Sequence, residues 1–241
     1  MTMSAFRDAP GKGHLERCKR IYGYLSKMKH AVIHVRTDLP DYSDLETQEF
    51  DWAQSVYGNV GELIPDDAPE ALGKPVILTT YKDANLFHDL ITGRSVTGIL
   101  HLINKTPFDW HSKKQATVET ATYGSEFVAG RIAVEQIMNH RLTLRYLGVP
   151  IQSKTFMFSD NKSVVDSATS PYSKLHKRHN ALSFHRVREA ITAKIVEFHH
   201  IPGHINPAEI LSKHWGYQQV WPMLQALLFW KGDTKELIPS E

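Results

Sequence analysis

Cysteine is almost absent. Cys18 stands alone, which excludes an internal disulfide framework and suits a reducing compartment. No apolar run approaches the roughly 18–20 residues that cross a bilayer. Residues 1–20 lack the apolar centre of a secretory signal, so an intracellular protein with no membrane partner is expected. There is no CxxC pair, and the crowded histidines His199, His200, His204 and His214 match no strong zinc spacing. Lys and Arg are missing between Arg36 and Lys74, where Asp38, Asp41, Asp44, Glu46, Glu49, Asp51, Glu62, Asp66, Asp67 and Glu70 fall. No internal repeat or low-complexity tract is present.

What remains is a chain of 241 residues, 41% hydrophobic, enough for one good core or one core with a small appendage. Its net charge of +2 hides basic stripes on either side of the acidic stretch, from Lys12 to Lys29 and from Lys174 to Lys194. Such stripes suit a phosphate backbone or, equally, a solvated helix face.

Residues 13–29 place Leu15, Cys18, Tyr22 and Leu25 at helical spacing. "AVIHVRT" (31–37) reads as a short strand, and residues 37–73, with Pro40, Pro65 and Pro69, as an acidic linker or wrapping segment. From Lys74 the pattern becomes regular. Strands are predicted at 75–83, 95–104, 107–114, 154–160 and 194–201, and helices at 119–146, 161–168, 172–192 and 206–230. Three meandering strands followed by a helix and then alternating strand and helix give an α/β fold with a mixed five-stranded sheet flanked by helices, plus a small N-terminal helical piece.

Four carboxylates interrupt this core. Asp83 follows the apolar run Val76-Ile77-Leu78, and either opens a turn or holds a metal. Asp160 shares a strand face with Phe156 and Phe158, and also suits the cap of the helix beginning at Asn161. Glu126 lies beside Phe127 and Val128 in a turn rich in small residues, which points it at the sheet. Glu209 falls in the first turn of a helix after Pro207, where an acid also answers the helix dipole. Four converging carboxylates are what a two-metal hydrolase needs, and hard oxygen donors select Mg²⁺, with Mn²⁺ possible, over zinc.

The stretches "YKDAN", "GRSVTG", "SKKQATVETATYGSEFVA", "FSDNKSVVDSA", "LHKRHNALSFHRVREAI" and "GHINPAEILSK" resemble, in order, the ribonuclease H region of copia-type retrotransposon polyproteins. "FRDAPGKGHLERCKRIYGYLSK" resembles the end of the same family's reverse transcriptase. The resemblance implies a ribonuclease H-like domain at 74–230, a thumb-like helix within 1–36 and a tail at 231–241. It implies cleavage of the RNA strand of an RNA–DNA hybrid with two Mg²⁺ ions. The family's acids fall on Asp83, Glu126 and Asp160, and Glu209 stands where Asp is usual. The resemblance also assigns His204 to proton transfer or product release. His176, Lys177, Arg178, His179 and Arg188 are candidates to grip the hybrid backbone. No "YxDD" pair of polymerase carboxylates occurs, so DNA synthesis is not expected, although the polymerase part of a reverse transcriptase remains a possible partner. A hybrid-binding remnant without catalysis and a structural subdomain are the rival readings.

Overall fold

The computed structural model describes residues 7–29, 31–47, 50–58, 60–175 and 177–228; His176 and the expected tail at 231–241 lie outside them. The chain divides into two compact units, Val35–Gly216 on one hand and Met1–His34 with Tyr217–Glu241 on the other. The helices α1 (Lys12–Lys27) and α6 (Tyr217–Leu228) belong to the latter unit. The apolar stripe read on α1 is not buried, since Leu15, Tyr22 and Leu25 are all exposed.

The Val35–Gly216 unit contains β1 (Leu78–Asp89), β2 (Arg94–Ile103), β3 (Thr106–Lys114), α2 (Thr122–Tyr146), β4 (Thr155–Ser159), α3 (Lys162–Thr169), α4 (Ala181–Thr192), β5 (Val196–His200) and α5 (Glu209–Ser212). The sheet order is β3-β2-β1-β4-β5. β1, β2 and β3 are antiparallel neighbours, while β4 runs parallel to both β1 and β5. This is the mixed five-stranded sheet flanked by helices that a ribonuclease H-like fold requires. Its core joins Ile99, Met157, Val196 and Phe198 of the sheet to Phe127, Val134 and Ile137 of α2, Val164 of α3, and Phe184 and Val187 of α4.

Several elements differ from the sequence expectation, each for a physical reason. β1 does not stop at Asp83 but continues to Asp89, because Asp83 pairs with Gly98 and Asn85 with Val96 on β2. Residues 31–37 form no strand, and the Arg36 N–H is taken instead by the Thr106 hydroxyl at 2.7 Å. The helix expected from 172 begins only at Ala181, after a 3₁₀ turn at Arg178–Asn180. The helix expected over 206–230 is interrupted between Ser212 and Tyr217.

The acidic segment has no helix or strand among its described residues, yet it is tied to the sheet and its helices along its length. Tyr42 packs on Phe156 and Phe158 and bonds Thr79 through its hydroxyl at 2.9 Å. Thr47 donates to Glu197 at 2.6 Å. Glu62 takes Arg141 with both oxygens, at 2.8 and 2.7 Å, and Arg145 with one, at 2.5 Å. These guanidiniums hold Glu62 ionised, so that its carboxyl lies below the usual range although burial opposes the shift.

Arg188 is a correction. It is not available to a nucleic-acid backbone: it is buried, donates to the carbonyls of Ser167, Ser170 and Pro171, and lies against the rings of Trp52, Tyr57 and Phe184. Its guanidinium is an internal clasp between α4 and the acidic segment.

His101 on β2 is also buried, between the Thr80 hydroxyl at 2.9 Å and the Gln136 amide at 3.0 Å. Burial lowers its imidazole to about 4, whereas the unfolded chain takes up that proton near pH 6.5. The stability from this neutral histidine is therefore present above pH 6.5 and lost as pH falls towards 4, by about 3 kcal/mol in all. Urea denaturation between pH 7 and 4 should show that excess loss in the wild type over His101→Gln. Equal pH dependence in the two would remove His101 from the acid sensitivity.

Candidate active site

Parallel register places the first two acids side by side. Tyr81 pairs with Phe158 as the last registered partners of β1 and β4, and two residues beyond each lie Asp83 and Asp160. With a side-chain period of two, both carboxylates emerge on the same side where the β1–β4 pairing ends. Glu126 comes in from α2, whose turn Gly124–Gly130 is buried throughout. One oxygen from each of Asp83, Glu126 and Asp160 lies within 4.8 Å of the other two.

Glu209 joins from α5, carried there by Gly98. A Cβ on Gly98 would stand 2.5 Å from the Ala208 carbonyl and 2.9 Å from the Ser212 nitrogen, so only glycine lets α5 rest on β2 opposite Asp83. Asn206 fixes the approach, donating to the Lys82 carbonyl at 3.0 Å and accepting from the Ala208 N–H at 3.1 Å. Glu209 is buried but lies outside the close three-acid group. It faces Asp160 across Gly203, whose Cβ would meet Glu209 Oε1 at 3.0 Å and Asp160 Oδ2 at 3.1 Å. His204, the next residue, is exposed in the 3₁₀ turn Gly203–Ile205.

Buried like charges need compensation, and two lysines that sequence reasoning missed supply it. Lys82 is fully enclosed and donates to Glu126 Oε2 at 2.6 Å and to the Glu126 carbonyl at 3.1 Å. The other oxygen, Glu126 Oε1, accepts the Ala84 N–H at 3.1 Å. Lys213 spans the outer acids, 2.8 Å from Glu209, 3.4 Å from Asp83 and 4.0 Å from Asp160. Ser212 donates a short hydrogen bond to Asp83 Oδ2. Burial pushes the Glu126 carboxyl up to about 7, against Lys82 and with help from Asp83 and Asp160. Burial also raises Glu209, with Lys213 opposing. For Lys213 itself burial acts downward, but Asp83, Glu209 and Asp160 outweigh it and hold the ammonium above its ordinary range. The i,i+4 spacing of Glu209 and Lys213 was the available signal for that pair. For Lys82 the signal was its strand position between the inward residues Thr80 and Ala84.

Of the candidate backbone-binding residues, Lys177, Arg178 and His179 stand together and Arg188 is buried apart from them. Lys177 donates to Thr120 at 3.1 Å, and His179 meets the buried Glu119 at 3.1 Å. Arg178 is exposed.

Over 141 residues, 58% of its length, the chain is 26% identical to the retrovirus-related Pol polyprotein from transposon TNT 1-94 of Nicotiana tabacum. Over 141 residues it is 23% identical to the Pol polyprotein from transposon RE2 of Arabidopsis thaliana. The chain spans about 10% of the length of either relative. Its homologues are thus retrotransposon Pol polyproteins. Among solved structures it is similar to the N-terminal RNase H domain of rv2228c from Mycobacterium tuberculosis, with a TM-score of 0.45 and 12% identity over 63% of this chain and 98% of that one. It is also similar to LC11-RNase H1 in complex with an RNA/DNA hybrid, with a TM-score of 0.45 and 17% identity over 56% of this chain and 93% of that one. No family model matches the chain.

The role of Lys213 is open to measurement. Removing its ammonium leaves Asp83, Asp160 and Glu209 facing one another, so Lys213→Ala should lose about 1–2 kcal/mol in chelator, allowing for the partial exposure of the site. Equal stability of the two proteins in chelator would show that Lys213 balances no charge there.

Proposed function

We propose that this chain, whose homologues are retrotransposon Pol polyproteins, is a metal-dependent hydrolase that cuts the RNA strand of RNA–DNA hybrids, the ribonuclease H portion of a copia-type Pol protein. One observation carries the reading: carboxylates from β1, from α2 and from the end of β4 bring oxygens within 4.8 Å of one another. A core has no structural use for three such acids together.

The donor set fits a hard divalent cation, Mg²⁺ or Mn²⁺. Asp83, Glu126, Asp160 and Glu209 would hold it, with Lys213 at the rim, its side chain 28% exposed. When bound, the ion supplies an activated water and stabilises the leaving oxygen of a phosphodiester. Ser212 and Asn206 orient the acids that bind it, the first through Asp83 and the second by pinning the turn that carries Glu209. His204, exposed beside Gly203, would carry a proton between the site and water. Exposed Arg178 and the neighbouring Lys177 are the candidates for phosphate contact on the hybrid. The tight hold of Lys82 on Glu126 favours one rival, a domain that binds hybrid without cutting it.

Cleavage of a labelled hybrid in Mg²⁺ separates the two. The RNA strand should be cut and duplex DNA left intact, with hybrid affinity falling as salt rises. Asp160→Asn should lower the rate by at least about 100-fold while the protein stays folded and still binds hybrid. Salt-dependent hybrid binding with no cleavage in the wild type would establish the non-catalytic reading.

Glu209 is tested separately. Glu209→Asp keeps the charge and should cost less than about tenfold in rate, whereas Glu209→Gln should cost more and raise the Mg²⁺ concentration needed. An unchanged rate and metal requirement in Glu209→Gln would leave only Asp83, Glu126 and Asp160 in the site.

A further inference from the structure

Three strands and a helix gather a second set of metal-binding side chains, apart from the acids. Thr80, three residues before Asp83 on β1, pairs with His101 on β2, and His101 pairs with Asp109 on β3, so the three form one row across the sheet. The ladder then skips Phe108, since Leu102 pairs with Pro107. Such a bulge re-aims side chains, and two consecutive residues here reach the same histidine of α2. The Phe108 ring lies 5.0 Å from the His140 ring, and Asp109 Oδ2 lies 3.1 Å from His140 Nε2. Gln136, one turn before His140, stands with its Oε1 3.0 Å from His101 Nε2. One nitrogen from each of His101 and His140 and one oxygen of Asp109 fall within 4.8 Å of one another. An ion pair would account for Asp109 and His140 alone, but not for a third donor, the buried His101, directed at the same point.

We propose that His101, Asp109 and His140 form a site for one Zn²⁺ ion, with the Gln136 amide oxygen as fourth donor, and that the ion ties β2 and β3 to α2. Two imidazoles and a carboxylate are a zinc donor set, unlike the all-carboxylate group around Asp83. Donors around tetrahedral zinc lie about 3.3 Å apart. Asp109 and His140 already stand near that spacing, and side-chain rotation supplies the remaining contraction. Thr80 sets the tautomer of His101, because its hydroxyl, 2.9 Å from Nδ1, can accept as readily as donate. With the ring proton on Nδ1, the Nε2 lone pair is left for the ion, and the ring need not move. Entry is from the Asp109 side, the open edge of a cluster in which His140 is largely covered and His101 buried. No sequence motif joins residues 101, 109 and 140; strand register and the bulge make the site.

Cobalt substitution tests it without reference to cleavage. Co²⁺ is titrated into the full chain in excess Mg²⁺, which keeps it from a site built of carboxylates. A four-coordinate site containing two imidazoles absorbs strongly in the visible, whereas a six-coordinate site of oxygens gives only weak bands. The wild type should develop the strong bands with one equivalent of Co²⁺ and lose them to one equivalent of Zn²⁺. His140→Gln and Asp109→Asn, both on the less buried side of the cluster, should each weaken Co²⁺ binding at least about 100-fold while the protein stays folded. Weak bands alone in the wild type would overturn the proposal. So would strong bands that persist with undiminished affinity in either variant, since the ion would then sit on other histidines. Should one variant fail to fold, the other still decides between these outcomes.

Discussion

Carboxylates held close together in a low-dielectric interior repel one another, and much of the Val35–Gly216 unit is arranged around that repulsion. The parallel register of β1 and β4 creates it by bringing Asp83 and Asp160 to one side of the sheet. Gly98 and Gly203 sharpen it by letting α5 and the preceding turn come within contact of the acids. Lys82 and Lys213 then relieve it from opposite sides, one from within the core and one from the rim. Removing any of these parts leaves the others without purpose: the glycines would admit a helix with nothing to deliver, and the lysines would themselves be uncompensated charges.

Charge relief has two different qualities here. Lys82 is wholly enclosed and bonded to Glu126 from within the core. Lys213 balances Asp83, Asp160 and Glu209 from the rim, where its side chain is partly exposed. The same contrast separates Arg188 from Arg178. The first is consumed by three carbonyls and three aromatic rings, and the second remains in solvent.

Much of this was legible in the sequence, for reasons that also mark where legibility stopped. Strands and helices announced themselves by apolar period, and Asp83, Glu126 and Asp160 stood out because each breaks an apolar pattern that the core otherwise keeps. The far end of β1 did not, since Ala84, Asn85 and Asp89 are held by pairing with β2 across an irregularity at Phe87, and not by any pattern of their own. Lys82 was invisible because a lysine in a strand reads as surface, and what buries it is a partner 44 positions away. Arg188 was misread for a similar reason: a basic helix looks solvated, and the rings that enclose it include Trp52 and Tyr57, from a segment with no regular pattern at all. Local periodicity reports which face is apolar, but not which distant group will cover a polar one.

The acidic segment carries a kinetic consequence. Its fastenings join positions 79 apart at Glu62 and Arg141, 128 apart at Tyr57 and His185, and 150 apart at Thr47 and Glu197. Each closes a long loop and has its partner only once α2, α4 or β5 exists, so the entropy of closure weighs against early formation. The segment nearest the front of the unit is therefore among the last parts to dock, and the ribosome releases it long before β5 is made. In the finished protein the order reverses. A strap held by side chains and not by a ladder is the first part to open, giving the unit a partly unbuckled state from which a protease could reach residues that the intact sheet protects.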